Sequence, residues 1–188
     1  MKRICVYCGS SSGLQPEYIE TARKLGSFLA YRKIGLVYGG ANIGLMGAVA
    51  DAAMENGGET IGVITTSLAQ HVAHEGLENL QIVDSMHDRK QRMFDLSDGF
   101  IALPGGIGTL EELLEVLTWS QLGYHDKPCA LLNVCDYYSG LLAFLDHAAD
   151  QRFLKDIHRK ILIVDQEPES LIKKMAQYQP VKLDKWID

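Results

Sequence analysis

Two rhythms of apolar and polar residues alternate along the chain. Short apolar runs, "RICVYCG", "IGLVYGG", "TIGVITT", "LQIVDS", "GFIALPGG", "PCALLNV" and "ILIVD", carry the first. Such runs, bounded by glycine and polar clusters, predict strands. Between them lie longer segments with apolar residues three and four apart. "PEYIETARKLGSFLAYRK", with Pro16 near its first turn, "GLMGAVADAAMENGG", ended by Gly57-Gly58, "MHDRKQRMFDLSD", "LEELLEVLTWSQ", "YYSGLLAFLDHAADQRF" and "PESLIKKMAQY" predict helices. The stretch from Ser67 to Leu80 is less regular. Strands apolar on both faces and separated by helices belong to a parallel sheet covered on both sides. The expectation is an α/β fold, a Rossmann-like, doubly wound parallel sheet flanked by helices. A length of 188 residues, 47% of them hydrophobic, fits a single domain over residues 1–188.

Open α/β sheets bind ligands beyond the carboxyl ends of their strands. Those ends here are "CGSSSG", "YGGANIG", "ITTS", "VDSMHDR" and "LPGGIGT", all rich in glycine, small polar or charged residues. Glycine lets a backbone approach a ligand closely, and a helix start presents free N–H groups to an anion. Gly9 and Ser10 in the first corner, Gly40 and Asn42 in the second, and Gly105, Gly106, Ile107, Gly108, Thr109 and Leu110 in the last are therefore candidate phosphate contacts. The bland alternative is a set of tight turns. No corner carries the Gly-Lys-Ser/Thr of a P-loop, and "GSSSG" is not the dinucleotide fingerprint, so a small nucleotide or sugar phosphate is favoured.

Helical spacing sorts the charges. Met86, Arg89, Met93 and Leu96 share one stripe, so Arg89 interrupts an apolar line. An unpaired buried charge is costly, which favours an arginine aimed into the strand-end pocket over one snorkelling to water. Lys90 and Arg92 flank it. In the next helix Leu110, Leu113, Leu114 and Leu117 form the expected core stripe, with Glu111 and Glu115 on the solvent face. Glu112 shares a third face with Thr109, Val116 and Trp119, and so points the same way as the glycine loop.

Other chemistry is weaker. Cys5 and Cys8 lie in a strand rather than at a helix start, and Cys129 and Cys135 supply no second CxxC, so the four cysteines are read as reduced and structural. His71 and His74 lack a third metal ligand at a convincing spacing; His87 either meets the ligand or caps its helix. A net charge of −6 without a basic run excludes a nonspecific grip on nucleic acid polymers or anionic membranes. No apolar stretch is long enough to span a bilayer, and the start reads as a strand rather than a signal peptide, which makes a cytoplasmic location the default.

"PGGIGTLEE", ending at Glu112, and "SMHDRK", with Arg89 and Lys90, resemble the signature of the LOG ("Lonely Guy") family, the cytokinin riboside 5′-monophosphate phosphoribohydrolases. The resemblance runs from "VYCGSSSG" through "VYGGANIGLMGAVADAA" to "LTWSQLGYHDKP". It implies hydrolysis of the N-glycosidic bond of cytokinin nucleotides or AMP, giving free base and ribose 5-phosphate, with no metal or organic cofactor. It places the catalytic pair on Arg89 and Glu112. It places nucleotide binding on Arg89, Lys90 and Gly106 to Glu112, with Thr118 further along and Met86 beside Arg89. It also implies a homodimer. Where many relatives carry glutamate before "VAH", this chain has His71; if that glutamate contacts substrate, the contact and the base preference are altered here. Rival readings are a non-catalytic nucleotide sensor, a hydrolase for another nucleotide, and a pyridoxal-dependent decarboxylase. The last sits poorly with a chain that has no His-Lys dipeptide.

Overall fold

A computed structural model of the protein describes residues 1–180. The expected domain bounds of 1–188 extend over residues 181–188, which lie outside the described residues. The strands are β1 (Arg3–Tyr7), β2 (Gly35–Tyr38), β3 (Thr60–Thr65), β4 (Asn79–Val83), β5 (Phe100–Ala102), β6 (Cys129–Leu132) and β7 (Leu162–Asp165). The helices are α1 (Pro16–Tyr31), α2 (Gly44–Glu55), α3 (Thr66–Val72), α4 (Met86–Leu96), α5 (Ile107–Gln121), α6 (Ser139–Asp150), α7 (Asp156–Arg159) and α8 (Pro168–Ala176). All the strand periods read from the sequence appear. Two short pieces were not foreseen: α3, inside the irregular stretch, and the four-residue α7. Neither is long enough to show a helical period.

The strands form one parallel sheet in the order β4-β3-β2-β1-β5-β6-β7. The chain winds outward from β1 to β4, then returns to place β5 on the other side of β1. That reversal makes the β1–β5 boundary the point where adjacent loops diverge and a crevice opens. On one face, Leu25 and Leu29 of α1, Val49 of α2 and Leu171 of α8 pack on Ile4, Leu36 and Ile101. On the other, Met93 of α4 and Val116 of α5 pack on Cys5, Val37 and Phe100, and Leu113 and α6 cover Leu131.

Two sequence expectations need correction. β4 is an edge strand with Asn79 and Ile82 exposed, not a strand apolar and buried on both faces. In α5 the buried positions are Thr109, Leu113 and Val116, whereas Leu114 is exposed. A helix wedged between sheet and neighbour rotates its buried stripe toward whichever element covers it, which helical period alone does not specify. Cys5 and Cys8 fall into cores on opposite faces of the sheet and are free thiols, as are Cys129 and Cys135. Burial pushes the Cys5, Cys8 and Cys129 thiols upward, away from the reactive thiolate.

Candidate active site

The loops after β1 and β5 meet at the crevice. Gly9 N–H donates to the Pro104 carbonyl at 3.0 Å, and Leu45 N–H at the start of α2 donates to the Gly9 carbonyl at 3.1 Å. A side chain at Gly44 would run into the Ser10 backbone, at 2.4 Å, so the first two glycine corners are in direct contact. The crevice has two lobes, each about 340 Å³, which share Gly9, Ser10 and Gly106. One is walled by Ser11, Ser12, Gly13, Tyr18, Gly105 and Tyr137. The other holds Met46, Met86, Arg89, Gly108, Thr109 and Glu112, with Glu111 and Ile107 at its edge.

Arg89 is 7% exposed and does not snorkel. Ser85 caps α4, its hydroxyl accepting from Asp88 N–H at 3.0 Å, which starts the helix at Met86 and places Arg89 one turn in. Capping therefore falls to Ser85 and not to His87, which is exposed. The guanidinium is held from three directions. Nε donates to the Val63 carbonyl within β3 (2.9 Å), Nη2 to the Gly39 carbonyl after β2 (3.5 Å), and Nη1 to Glu112 Oε1 (2.8 Å). Burial pushes the Glu112 carboxyl above its ordinary range while Arg89, by charge and hydrogen bond, pulls it back. Thr109 lies one turn before Glu112 on the same face of α5, at a helix start whose first N–H groups have no intrahelical acceptor.

The remaining candidate residues are distributed unevenly. Gly105 lines the serine lobe, and Ile107, Gly108, Thr109 and Glu111 the arginine lobe. Leu110 packs beneath α5 against the β6 side of the core. Lys90 lines neither lobe: its Nζ bridges Glu111 and Glu115, at 2.5 and 2.9 Å. Gly40 and Asn42 tie the second corner to α3, through Gly40 O to His74 N–H and Asn42 N–H to Val72 O. Thr118 faces a separate cavity of about 110 Å³ beside Leu145 and Leu162, and its hydroxyl donates to Leu114 O. His74 is buried, with Nδ1 against the Tyr38 hydroxyl at 2.7 Å and Nε2 against Asp51 at 3.1 Å, while His71 is exposed on α3. The first histidine is a structural link, and no group of three or more metal-ligating side chains occurs among the described residues.

Sequence reasoning missed Gly39, Met46 and Tyr137. Gly39 lies in the strand-end corner "YGGANIG" and Met46 just beyond it in "GLMG", while "DYYSG", which holds Tyr137, has no period that assigns it to the crevice.

Comparison with known proteins establishes the family. A family model described as "Possible lysine decarboxylase" matches residues 46–175. The chain is 48% identical over 180 residues to the cytokinin riboside 5′-monophosphate phosphoribohydrolase LOG7 of Arabidopsis thaliana, covering 95% of this chain and 83% of the relative. It is 49% identical over 181 residues to the probable cytokinin riboside 5′-monophosphate phosphoribohydrolase LOGL9 of Oryza sativa subsp. japonica, covering 96% and 80%. The chain belongs to the LOG family. Solved structures extend the fold alone. A molybdenum cofactor binding protein from Rippkaea orientalis superposes with TM-score 0.72 at 24% identity, covering 94% of this chain and 97% of that one. The molybdenum cofactor carrier protein of Chlamydomonas reinhardtii does so with TM-score 0.70 at 20% identity, covering 94% and 98%. The decarboxylase wording of the family model does not suit this LOG-family crevice. A pyridoxal enzyme needs a lysine amine for its Schiff base, and neither lobe is lined by a lysine.

Proposed function

We propose that this LOG-family chain hydrolyses the N-glycosidic bond of nucleoside 5′-monophosphates, AMP or its N6-isoprenoid cytokinin counterparts, releasing the base and ribose 5-phosphate. One observation carries the reading. A buried Arg89–Glu112 pair faces the same lobe as the open helix start at Gly106–Thr109. The helix start suits the 5′-phosphate, through N–H groups and the Thr109 hydroxyl. Glu112, three residues or about 4.5 Å of helix rise beyond Thr109, then stands beside the ribose.

Cleavage sends the C1′–N electron pair to the base and leaves oxocarbenium character on the sugar. The Glu112 carboxylate stabilises that cation and accepts a proton from the water that adds to C1′. The departing base takes up a proton, so the sum is nucleotide plus water to base plus sugar phosphate. A carboxyl held above its ordinary range by burial is a better proton acceptor than a free glutamate. Arg89, fixed by two backbone carbonyls, keeps Glu112 ionised and aimed. Its anchoring favours this role over one in which it swings out to phosphate.

The test is Glu112→Gln, assayed by chromatography for free adenine from AMP. Binding is retained and most base release is lost; undiminished turnover removes Glu112 from the mechanism.

The reading extends to a cytoplasmic homodimer. Leu114 on α5, Phe144 on α6, Phe153 and Ile157 are exposed apolar side chains around α5 to α7, and they support a face covered by a second copy. Trp119 contributes less, because it packs edge-on against Phe94 with ring centroids 5.0 Å apart. No helix among the described residues is long and apolar enough to cross a membrane.

A further inference from the structure

The loop that feeds α5 is gripped by two consecutive tyrosines from a turn that follows β6. Tyr138, 2% exposed, donates its hydroxyl to the Leu103 carbonyl at 2.6 Å. Tyr137 reaches into the crevice and donates to the Gly105 carbonyl, also at 2.6 Å. Neighbouring tyrosines thus hold alternate carbonyls of "LPG", the approach to the helix start.

Presenting both side chains this way has a conformational cost. Cys135 and Asp136, immediately before them, both have positive φ, 49° and 58°. Neither is glycine, and two successive residues in the left-handed region are unfavourable for side chains with a Cβ. Such strain persists only where surrounding contacts over-determine it, and it concentrates at functional sites. The contacts are present. Asn133 Oδ1 accepts from Tyr138 N–H at 2.7 Å, and Asp136 Oδ1 accepts from Gln166 Nε2 at 2.9 Å. Tyr18 packs edge-on against the Tyr137 ring, with centroids 5.7 Å apart.

The bond to Gly105 has a consequence on the other side of the peptide. The carbonyl of Gly105 and the N–H of Gly106 belong to one planar trans unit and point in opposite directions. With glycine on both sides, that unit has little steric resistance to flipping. Fixing the carbonyl toward Tyr137 in the serine lobe turns the Gly106 N–H away from Tyr137, and Gly106 also lines the lobe of Thr109, Arg89 and Glu112.

We propose that Tyr137 is a positioning residue for the 5′-phosphate: its hydroxyl locks the Gly105–Gly106 peptide so that the Gly106 N–H is preset as a phosphate donor. This rests on the reading of the α5 start as the phosphate site. Tyr137 touches the loop and not the reacting atoms, so its effect appears in phosphate affinity rather than in the chemical step.

The experiment compares wild type, Tyr137→Phe and Tyr138→Phe. It uses calorimetric binding of AMP and adenosine, base-release kinetics and thermal midpoints. Losing one such hydrogen bond weakens the interaction it serves by roughly fivefold to tenfold. In Tyr137→Phe, Kd and KM for AMP rise by that factor, kcat changes less than about twofold, and adenosine affinity does not move. Tyr138→Phe, which loses a buried bond, chiefly lowers the thermal midpoint. Equal weakening of AMP and adenosine in Tyr137→Phe overturns the inference. So does no weakening of either, or loss of AMP affinity in proportion to lost stability across the two variants. If wild type binds AMP but releases no base, the hydrolase reading fails, while the AMP–adenosine comparison still tests Tyr137.

Discussion

Gly39→Ala is the most discriminating perturbation of the proposed mechanism, because it moves Arg89 without changing any charged group. A Cβ at Gly39 would lie 2.3 Å from Arg89 Nη2 and 3.0 Å from Met46 Sδ. Ordinary contact is about 3.5 Å or more, so the guanidinium must retreat by roughly 1.2 Å. Both obstructing atoms are tips of flexible side chains, and Gly39 does not have a positive φ, so the fold survives. The retreat stretches or breaks the 2.8 Å bond from Arg89 to Glu112, or drags the carboxylate with it. A misplacement of about 1 Å in a catalytic group costs on the order of a hundredfold in rate, about 2.7 kcal/mol of barrier. The expected result is a folded protein with a thermal midpoint within a few degrees of wild type and kcat for adenine release from AMP reduced about a hundredfold. Circular dichroism and steady-state kinetics by chromatography report the two quantities separately. If kcat stays within about threefold of wild type, the register between Arg89 and Glu112 does not govern the chemistry, and the role given to Arg89 is wrong.

Two further outcomes follow from the same geometry. Arg89→Met leaves Glu112 buried without its hydrogen-bonded cation, so desolvation is opposed only by the weaker pull of Lys90 and the carboxyl rises further above its ordinary range. Activity that needs the ionised form then lies further up the pH scale: the acid limb of the pH–rate profile shifts to higher pH than in wild type, and an unshifted limb contradicts the assignment. Stability follows with the opposite sign. A carboxyl raised in the folded state favours folding below its unfolded value, and that advantage is lost as pH rises through the folded value, so denaturant titrations of the variant should show it more stable at acid than at alkaline pH. For the assembly, Phe144→Glu places a charge on an exposed apolar face and shifts sedimentation toward monomer; an unchanged sedimentation coefficient locates the interface elsewhere or removes it.

The alternation of short apolar runs with helical periods was enough to specify a parallel sheet covered on both faces. Every element long enough to show a period appears where the period put it. The glycine corner, Arg89 and Glu112 were also legible, because spacing along a helix fixes which residues share a face. An arginine within an apolar stripe is conspicuous for the energetic reason that it must find partners. Other features lay outside the reach of the sequence. That Arg89 takes its partners from Val63, Gly39 and Glu112 depends on the strand order, which sets β3 and the residue after β2 side by side against α4. Lys90, adjacent to Arg89 in sequence, turns instead to Glu111 and Glu115, since neighbouring positions on a helix face different ways and only packing decides which way is inward. Gly39 and Tyr137 have no local signature: the first matters because of what a Cβ would strike, the second because of a carbonyl thirty-two residues earlier in the chain. Local periodicity is a property of the chain and can be read from it. The crevice is made where β5 returns beside β1, and contacts between segments far apart in sequence exist only once the sheet has closed that distance.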